Sequence, residues 1–265
     1  MKIPPGHPRA ESLKTREKLI EQCRGGVVTP SGLVAHGRGE AFDYLLGEKT
    51  TTSALKAIKA AASALLMARK PVISVNGNVA ALVAEDIVRL SQVAEARIEV
   101  NLFYRSLSRE RAIRKLLEKA GAQEVLGVGE DASARIPELG SERRRVDPRG
   151  IYAADAVLVP LEDGDRTEAL VKMGKKVIAV DLNPLSRTAT RASITIVDNI
   201  VRAAPRLSEV ALELKKEDGK KSKSILASFN NQKNLGESVK LINERLSKLA
   251  EQRKPITIEG ERLEL

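Results

Sequence analysis

A five-residue segment near the start of the chain, His36 to Glu40, contains two side chains that can bind an anion. His36 can accept or release a proton near neutral pH, and Arg38 can donate several hydrogen bonds to a phosphate or a carboxylate. Gly37 and Gly39 flank the arginine, although a glycine in a helix interior costs roughly 1 kcal/mol against alanine. Either a ligand or a second helix comes close to this backbone, or the segment is a structural joint between helices. The residues themselves leave both interpretations open.

A second candidate is the turn Asn76-Gly77-Asn78, which follows a short apolar segment at 72–75 and precedes a helical pattern. The backbone N–H groups of such a turn and the start of the helix can bind an anion. The turn does not match the GxGxxG pattern of dinucleotide-binding proteins, and a strand, a glycine turn and a helix often follow one another for structural reasons alone. An anion site and an ordinary connection are both compatible with it.

Polar residues also follow two later apolar segments. A carboxylate there could bind ribose hydroxyls, an amide could read a base edge, and an arginine could contact phosphate. The structural alternatives are an Asx turn before Pro184 and a helix N-cap. The candidates after the first segment are Asp181, Leu182, Asn183, Ser186, Arg187 and Thr188, and those after the second are Asp198 and Asn199.

Three acidic residues and three arginines are weaker candidates. Glu162, Asp163 and Asp165 could ligate Mg²⁺, but acidic residues at a helix start are more often solvated. The arginines at 143–145 could contact phosphate, and a surface position is the favoured interpretation. We therefore predict no metal site built by the protein.

The hydrophobic pattern predicts the elements that position these residues. Residues 1–70 read as an extended N-terminal arm followed by helices at 11–26, from Thr29-Pro30 onward, and at 52–70. After residue 71, predicted strands at 72–75, 97–103, 123–128, 154–161, 175–183 and 192–198 alternate with predicted helices at about 79–94, 108–121, 162–174 and 199–216. This alternation is typical of an α/β fold, a Rossmann-like and mainly parallel sheet flanked by helices, here with an N-terminal helical region. Ligands of such sheets bind beyond the carboxyl ends of the strands.

We expect residues 1–265 to form a single α/β domain, with a helical region at 1–70, a sheet core at 71–216 and a C-terminal helix and tail at 225–265. The pattern further predicts a loop at 129–150, a hydrophilic linker at 217–224, a helix from about Leu235 and a strand or hairpin at 256–265.

The composition narrows the functional classes. The net charge is +10, which suits nucleic acids or phosphorylated small molecules, but aromatic residues are only 2% of the chain and Trp is absent. Because proteins that bind single-stranded nucleic acid usually stack bases on aromatic side chains, the small-molecule interpretation is favoured. The single cysteine, Cys23, excludes an internal disulfide and a cysteine-based zinc site. No signal peptide and no membrane span is apparent, so we expect a cytoplasmic protein.

Long segments of the chain resemble one enzyme family. IPPGHPRAESLKTREKL, VTPSGLVAHGRGEAFDYLLGEKT, VISVNGNVAAL, VIAVDLNPLSRTA and ITIVDNIVRA are closely similar to segments of the archaeal phosphopantothenate synthetases, or 4-phosphopantoate–β-alanine ligases. The resemblance extends from about residue 3 to at least residue 216. It implies a Rossmann-type homodimer that joins 4-phosphopantoate to β-alanine with ATP, in archaeal coenzyme A biosynthesis. The products would be phosphopantothenate, AMP and diphosphate, formed through an acyl-adenylate, and we expect Mg²⁺ to accompany the ATP.

The resemblance also implies roles for individual residues. Arg38 and His36 would be catalytic. Positions matching ATP contacts are Arg16, Arg38, Asp181, Leu182, Asn183, Arg187, Thr188, Asn199 and Ile200. Candidates for binding 4-phosphopantoate are His36, Asn76, Asn78 and Arg105. Independently of the resemblance, we expect the helix at 52–70 and the segment at 29–50 to form part of the dimer interface.

Two alternatives remain from the residues alone. A non-enzymatic nucleic-acid-binding protein would use the positive charge, and would need stacking aromatics that are scarce here. A nicotinamide-dependent oxidoreductase would share the fold, and would require a GxGxxG motif that VNGNVAAL does not supply.

Overall fold

The computed structural model describes Pro4, Gly6, His7 and residues 9–252. Its helices are α1 (Ala10–Arg24), α2 (Pro30–Leu46), α3 (Thr52–Met67), α4 (Gly77–Ala94), α5 (Leu107–Lys119), α6 (Gly164–Lys172), α7 (Arg187–Arg191), α8 (Ile200–Lys215), α9 (Gly219–Ser228) and α10 (Asn231–Glu251). Its strands are β1 (Pro71–Val75), β2 (Arg97–Val100), β3 (Ala134–Arg135), β4 (Arg145–Val146), β5 (Ala156–Pro160), β6 (Lys176–Val180) and β7 (Ile194–Ile196). The predicted α/β class with N-terminal helices is confirmed.

The start of α2 follows local sequence rules. The Thr29 hydroxyl accepts a hydrogen bond from the amide of Gly32 at 3.2 Å, and Pro30 occupies the first helical position, where its missing N–H costs nothing. Gly47, at φ 87°, ends the helix in the left-handed region that glycine adopts without strain. The helix start predicted at Thr29-Pro30 is thus confirmed.

Five parallel strands form the main sheet in the order β2-β1-β5-β6-β7. All five residues of β1 and all five of β5 are buried, as expected for parallel strands covered on both faces. Strand β2 is added to the sheet on one side of β1, and the next strand of this sheet, β5, is added on the other side of β1. The gap between β1 and β5 is therefore a topological switch point, where open α/β sheets bind ligands at their carboxyl ends.

Helices α3, α4 and α8 cover one face of this sheet, and α6 with the segment that precedes β5 covers the other. Small residues such as Ala57, Ala61 and Ala64 let α3 pack closely on α8 and α9. Because this face of α3 is buried inside the chain, the structure does not leave it free for the predicted dimer interface.

One predicted strand is wrong. Residues 123–128 form only a single parallel bridge, between Leu126 and Glu99, so the main sheet of the described chain has five strands and not six. Gly127 at φ 76° turns the chain away immediately after this bridge. The apolar run is too short, and too close to that turn, to form a ladder.

The predicted linker at 217–224 is also wrong, because α9 begins at Gly219. Its lysines face solvent, while Ser222 is buried and Ile225 packs against the core. The helix is amphipathic, and the many charged residues of its exposed face led to the prediction of a linker.

The C-terminal helix α10 covers the edge of the sheet. The Asn231 side chain accepts a hydrogen bond from the amide of Thr195 at 2.7 Å and donates to the carbonyls of Ala189 and Ala192, which satisfies backbone groups beside β7. The strand predicted at 256–265 lies outside the described residues. No helix in the described part of the chain has the length and apolarity that a bilayer crossing requires.

Candidate active site

A cavity of about 600 Å³ opens at the carboxyl ends of the parallel strands. Residues following β1, β2, β5, β6 and β7 line it, and α2 forms the wall opposite the sheet. The cavity therefore spans the switch point between β1 and β5. Adjacent strands lie about 4.8 Å apart, so the ends of β2 and β7 are about 19 Å from each other.

Most of the predicted site residues meet in this cavity, although they come from four separate parts of the chain. Those lining it are His36, Arg38, Asn76, Asn78, Asp181, Leu182, Asn183, Arg187, Thr188, Asn199 and Ile200. Arg16 and Arg105 do not line it.

The glycines of α2 bring this helix close to the rest of the site. A β-carbon at Gly32 would collide with the Asn78 side chain, whose amide donates a hydrogen bond to the Gly32 carbonyl at 2.8 Å. A β-carbon at Gly39 would lie 3.5 Å from Leu182, whereas one at Gly37 would have no neighbour within 4 Å among the described residues. Both interpretations of the segment thus hold in part: α2 is a close helix joint, and it also forms a cavity wall.

Arg38 projects from α2 into solvent at the cavity. It makes no hydrogen bond and no ion pair with any residue that the structure describes, and its charge acts on the carboxylate of Asp181. Burial raises the pKa of Asp181, while hydrogen bonds from the Ser186 hydroxyl and the Asn183 amide and the charge of Arg38 oppose that shift. Arg38 thus keeps its donors available for a ligand.

The loop after β6 is held by its own side chains. Asn183 accepts a hydrogen bond from the amide of Leu185 at 2.9 Å, and Thr188 donates to the carbonyl of Glu162 at 2.8 Å. Gly164 leaves room for the Arg187 stem, because a β-carbon there would overlap it. Arg187 itself is largely exposed and forms one ion pair, with Glu168 at 3.3 Å. The Asx turn that was the structural alternative is present, in a loop that also lines the cavity.

Helices α4, α6 and α8 each begin at the cavity, after Asn76, Asp163 and Asn199 respectively. Their free N–H groups and the positive ends of their dipoles favour anions. All three begin at the carboxyl edge of the sheet because they follow β1, β5 and β7, although α6 lies on the opposite face from α4 and α8.

The side chains of the asparagines at these helix starts mainly form hydrogen bonds within the protein. Asn76 accepts from the amide of Val79 at 3.1 Å and donates to the carbonyls of Pro160 and Leu161, which ties the end of β1 to the end of β5. Asn199 caps α8 and donates to Asp43 of α2 at 2.8 Å. These side chains leave few hydrogen-bonding atoms for a ligand, although their backbones still line the cavity.

His36 is the titratable group best suited to accept a proton here. Burial lowers its pKa, with an opposing influence from Glu40 and a smaller lowering from Arg16. Its Nε2 atom is buried and has no hydrogen-bond partner within the described part of the chain. A neutral imidazole with a vacant nitrogen at a cavity wall can act as a base or hydrogen-bond a substrate.

The two predicted residues outside the cavity are engaged elsewhere. Arg16 of α1 forms a bidentate ion pair with Glu40 of α2, in which Nη2 donates to Oε1 at 2.9 Å and Nε donates to Oε2 at 3.2 Å. Arg105 is buried, pairs with Glu110 and donates to the carbonyls of Arg145 and Gly127. In this arrangement Arg16 holds α1 against α2, and Arg105 holds the loop at 129–150.

Sequence reasoning missed a buried charge cluster at the cavity floor. Arg143 contacts Glu162 at 3.0 Å and Asp163 at 2.7 Å, and Arg166 pairs with the same Glu162. The Arg143 and Glu162 side chains are only 8% and 1% exposed, so the expected surface positions are wrong. The formal charges of these four groups cancel. Arg143 lies 19 residues from Glu162 in the sequence, so no local pattern reveals that contact.

Arg109 of α5, together with Phe103 and Tyr104 after β2, was also missed. Few polar residues follow this strand in the sequence, and Arg109 reaches the cavity from a helix on which several other charged residues, such as Arg111 and Lys115, are exposed.

The described residues contain no group of three or more His, Cys, Asp or Glu side chains arranged to hold a metal. Glu162 and Asp163, considered above as Mg²⁺ ligands, are occupied by the ion pairs with Arg143 and Arg166. These residues therefore do not fit a magnesium site built by the protein.

Curated proteins similar to this chain cover almost its whole length. One from Thermococcus onnurineus is 52% identical over 95% of this chain and 96% of its own length. One from Thermococcus kodakarensis is 52% identical over 94% of this chain and 95% of its own. One from Methanosarcina mazei is 51% identical over 94% of this chain and 97% of its own. Each of these relatives is named 4-phosphopantoate–β-alanine ligase.

A family model agrees with these pairwise similarities. Residues 53–245 match the family described as phosphopantothenate/pantothenate synthetase, which covers the sheet and most of the helices packed on it. The chain belongs to the phosphopantothenate/pantothenate synthetase family.

Proposed function

We propose that this protein is an ATP-dependent ligase that joins 4-phosphopantoate and β-alanine to give 4′-phosphopantothenate, AMP and diphosphate. The observation that carries the proposal is the near-full-length similarity to relatives named for this ligation. The alternatives of a nucleic-acid-binding protein and a nicotinamide-dependent oxidoreductase have no comparable support, and the turn Asn76-Gly77-Asn78 after β1 is not a GxGxxG motif.

The cavity suits the proposed substrates in size and charge. Its 600 Å³ volume falls in the range of small-molecule sites. Its width of about 19 Å across the strand ends allows a nucleotide and a second small anion to lie end to end. Arg38, Arg109 and Arg187 provide cations at separate points of its lining.

The reaction proceeds through an acyl-adenylate. A carboxylate oxygen of 4-phosphopantoate attacks the α-phosphorus of ATP, the bond from that phosphorus to the bridging oxygen breaks, and diphosphate leaves. The amine of β-alanine then attacks the acyl carbon, and the bond from that carbon to the AMP oxygen breaks. The β-alanine ammonium loses one proton before its attack and a second as the amide forms. No protein nucleophile is required, and positioning supplies much of the acceleration.

In this proposal the ATP lies over the ends of β6 and β7. Asp181 and Asn183 bind the ribose and the base, the backbone of Asn199 and Ile200 borders the nucleotide, and Thr188 supports the loop. Arg38 and Arg187 face the phosphates and stabilise the charge that develops at the α-phosphorus. Arg16 joins them only if it releases Glu40.

The acid and the amine lie on the β1 side of the cavity. His36 accepts the proton that β-alanine must lose, because its half-buried imidazole is neutral and its Nε2 has no hydrogen-bond partner among the described residues. Asn76 and Asn78 shape the floor beneath 4-phosphopantoate, and Arg105 acts through the loop that it anchors. Mg²⁺ would enter with the phosphates of the nucleotide and would neutralise part of their charge.

We also propose a homodimer. Since α3 is buried within the chain, the interface would use exposed apolar residues outside it, such as Val34 of α2, which is 74% exposed. Light scattering of the purified protein tests this: a mass of two chains is expected, and a single-chain mass across working concentrations would refute it.

The deciding experiment incubates the purified protein with ATP, 4-phosphopantoate and β-alanine and identifies every product. Phosphopantothenate, AMP and diphosphate are expected in equal amounts, and omission of any one substrate should abolish all three. ADP with inorganic phosphate would refute the adenylate route. A folded protein that forms no phosphopantothenate would refute the ligase itself.

A further inference from the structure

Arg109 is a cation without a counter-ion in the cavity lining. Its Nε donates to the carbonyl of Val27 at 3.0 Å and its Nη1 to the carbonyl of Tyr104 at 2.7 Å, which fixes the guanidinium in place. Its Nη2 has no hydrogen-bond partner within the described ranges, and no carboxylate there forms an ion pair with it. An arginine held this firmly by two backbone carbonyls, with one edge free toward a cavity, is preorganised for a ligand.

The surroundings of this free edge are positive. A β-carbon at Gly77 would sit 2.8 Å from Arg109 Nη2, so the guanidinium lies directly over the first residue of α4. The charged group that most influences Arg109 is Arg143, another cation. Burial and this neighbouring charge together lower the pKa of Arg109.

Arg143 does not supply the missing negative charge, and neither do its partners. Glu162 and Asp163 are already paired with Arg143, and Glu162 also with Arg166. Because the cluster is neutral as a whole, Arg109 adds one uncompensated positive charge at this end of the cavity. A half-buried cation of this kind is stabilised when an anion binds.

This positive end is separate from the proposed nucleotide position. Arg109 and Arg143 flank the end of β2, whereas Asp181 and Asn183 follow β6. In the strand order, β1 and β5 lie between them, which sets the two groups about 14 Å apart. That distance leaves room for an acid whose carboxylate meets the α-phosphorus and whose far end reaches Arg109.

We infer that Arg109 binds the phosphoryl group of 4-phosphopantoate and makes the site select the phosphorylated acid over pantoate. This inference rests on the proposed function, since it assigns one end of the substrate in the same cavity. Pantoate bears a neutral hydroxyl at that end and leaves the guanidinium unpaired. A site whose buried polar groups are left unpaired by an analogue discriminates strongly against it.

The test measures direct binding by calorimetry for the full chain and for Arg109→Met, with 4-phosphopantoate, pantoate and ATP as separate ligands. In Arg109→Met the Kd for 4-phosphopantoate should rise by at least about tenfold, the size expected for a charge-assisted hydrogen bond. The Kd for ATP should stay within about twofold, and the preference for 4-phosphopantoate over pantoate should largely disappear. Arg111→Met is the matched control, because Arg111 is exposed on the same helix; it should bind all three ligands as the unchanged protein does.

Arg109→Lys is a second variant for the case in which Arg109→Met disturbs the fold. Lysine keeps the positive charge but lacks the planar guanidinium that donates hydrogen bonds on two sides. This variant should fall between the unchanged protein and Arg109→Met for 4-phosphopantoate. If Arg109→Met fails to bind ATP or unfolds at a lower temperature, Arg109→Lys carries the comparison. An unchanged Kd for 4-phosphopantoate in the folded variant, or no binding to the unchanged protein, overturns the inference.

Turnover in the same preparations separates the two proposals. A protein that binds 4-phosphopantoate through Arg109 but forms no phosphopantothenate refutes the ligase while upholding this assignment. A protein that forms phosphopantothenate while Arg109→Met binds the acid normally refutes the assignment alone.

Discussion

At the scale of single residues, the arginines of the cavity differ in whether they form ion pairs within the described chain. Arg143 and Arg166 are neutralised by Glu162 and Asp163 in the floor. Arg38 and Arg109 have no such partner among the residues described, and both face the cavity. The unpaired arginines are therefore where an anionic ligand gains most, and the paired ones mainly keep the floor in shape.

Replacement of Arg38 by alanine should lower turnover at least about tenfold, the cost of one donor to developing charge. The fold should be intact, because Arg38 is exposed and bonds to no described residue. Steady-state kinetics together with thermal unfolding measure both effects. Near-normal turnover in a folded Arg38→Ala protein would remove Arg38 from the catalytic residues.

His36 should titrate below 6.5, the ordinary value for a histidine, since burial outweighs the influence of Glu40 on its pKa. It is then neutral, and able to accept a proton, throughout the neutral range. Nuclear magnetic resonance can follow the ring protons of the two histidines, with His36→Gln used for assignment. Titration of His36 above 6.5 would contradict its proposed role as a base.

Residues that follow a predicted strand could be placed at the cavity from the sequence, while their roles in binding stay predictions. Asp181, Asn183 and Asn199 were found because polar residues after apolar runs must lie at the carboxyl edge of a parallel sheet. Arg109 and Arg143 were missed because they reach the cavity from a helix and a loop, where arginine is usually solvated. Tertiary contacts alone distinguish them from surface arginines.

At the scale of elements, the fit of α2 against α4 decides the shape of the cavity. Gly32 is in contact with Asn78, while Gly37, in the same helix, faces open space. The helix starts were predictable from caps such as Thr29. The strand at 123–128 and the linker at 217–224 were mispredicted, because a turn at Gly127 and a buried face of α9 outweighed the local pattern.

The two glycines provide a matched pair of variants. Gly32→Ala should lower the free energy of unfolding by about 1–3 kcal/mol, because the new methyl group overpacks the contact with Asn78. Gly37→Ala should raise it by up to about 1 kcal/mol, because alanine favours the helix and nothing nearby opposes it. Urea unfolding measures both. Equal effects of the two changes would contradict the close packing of α2.

At the scale of the whole molecule, a buried carboxylate joins the sheet to the long loop that carries Arg143. Glu99 of β2 is fully buried and accepts hydrogen bonds from the amides of Asp147 and Ile151. Burial raises the pKa of Glu99 to about 7, against the opposing effect of these two bonds. The folded protein therefore holds a proton on Glu99 that the unfolded chain releases at a lower pH.

Stability should respond to pH in a defined direction. The contribution from protonated Glu99 is complete below 4.5, the ordinary value, and is lost as the pH rises through about 7. Across that window the stability of the unchanged protein relative to Glu99→Gln should fall by on the order of 3 kcal/mol, and then stay constant. Urea unfolding of both proteins at several pH values tests this. Parallel pH profiles would contradict a titrating Glu99.

The proposed ligation depends on an acyl-adenylate formed in this cavity. An isotope label tests most directly whether that intermediate forms. 4-Phosphopantoate is prepared with heavy oxygen in its carboxylate, and the purified protein turns it over with ATP and β-alanine. The mechanism predicts that one labelled oxygen per turnover appears in AMP, because the carboxylate oxygen that attacks the α-phosphorus leaves with it. Label in inorganic phosphate together with ADP, or AMP without label, would contradict the mechanism.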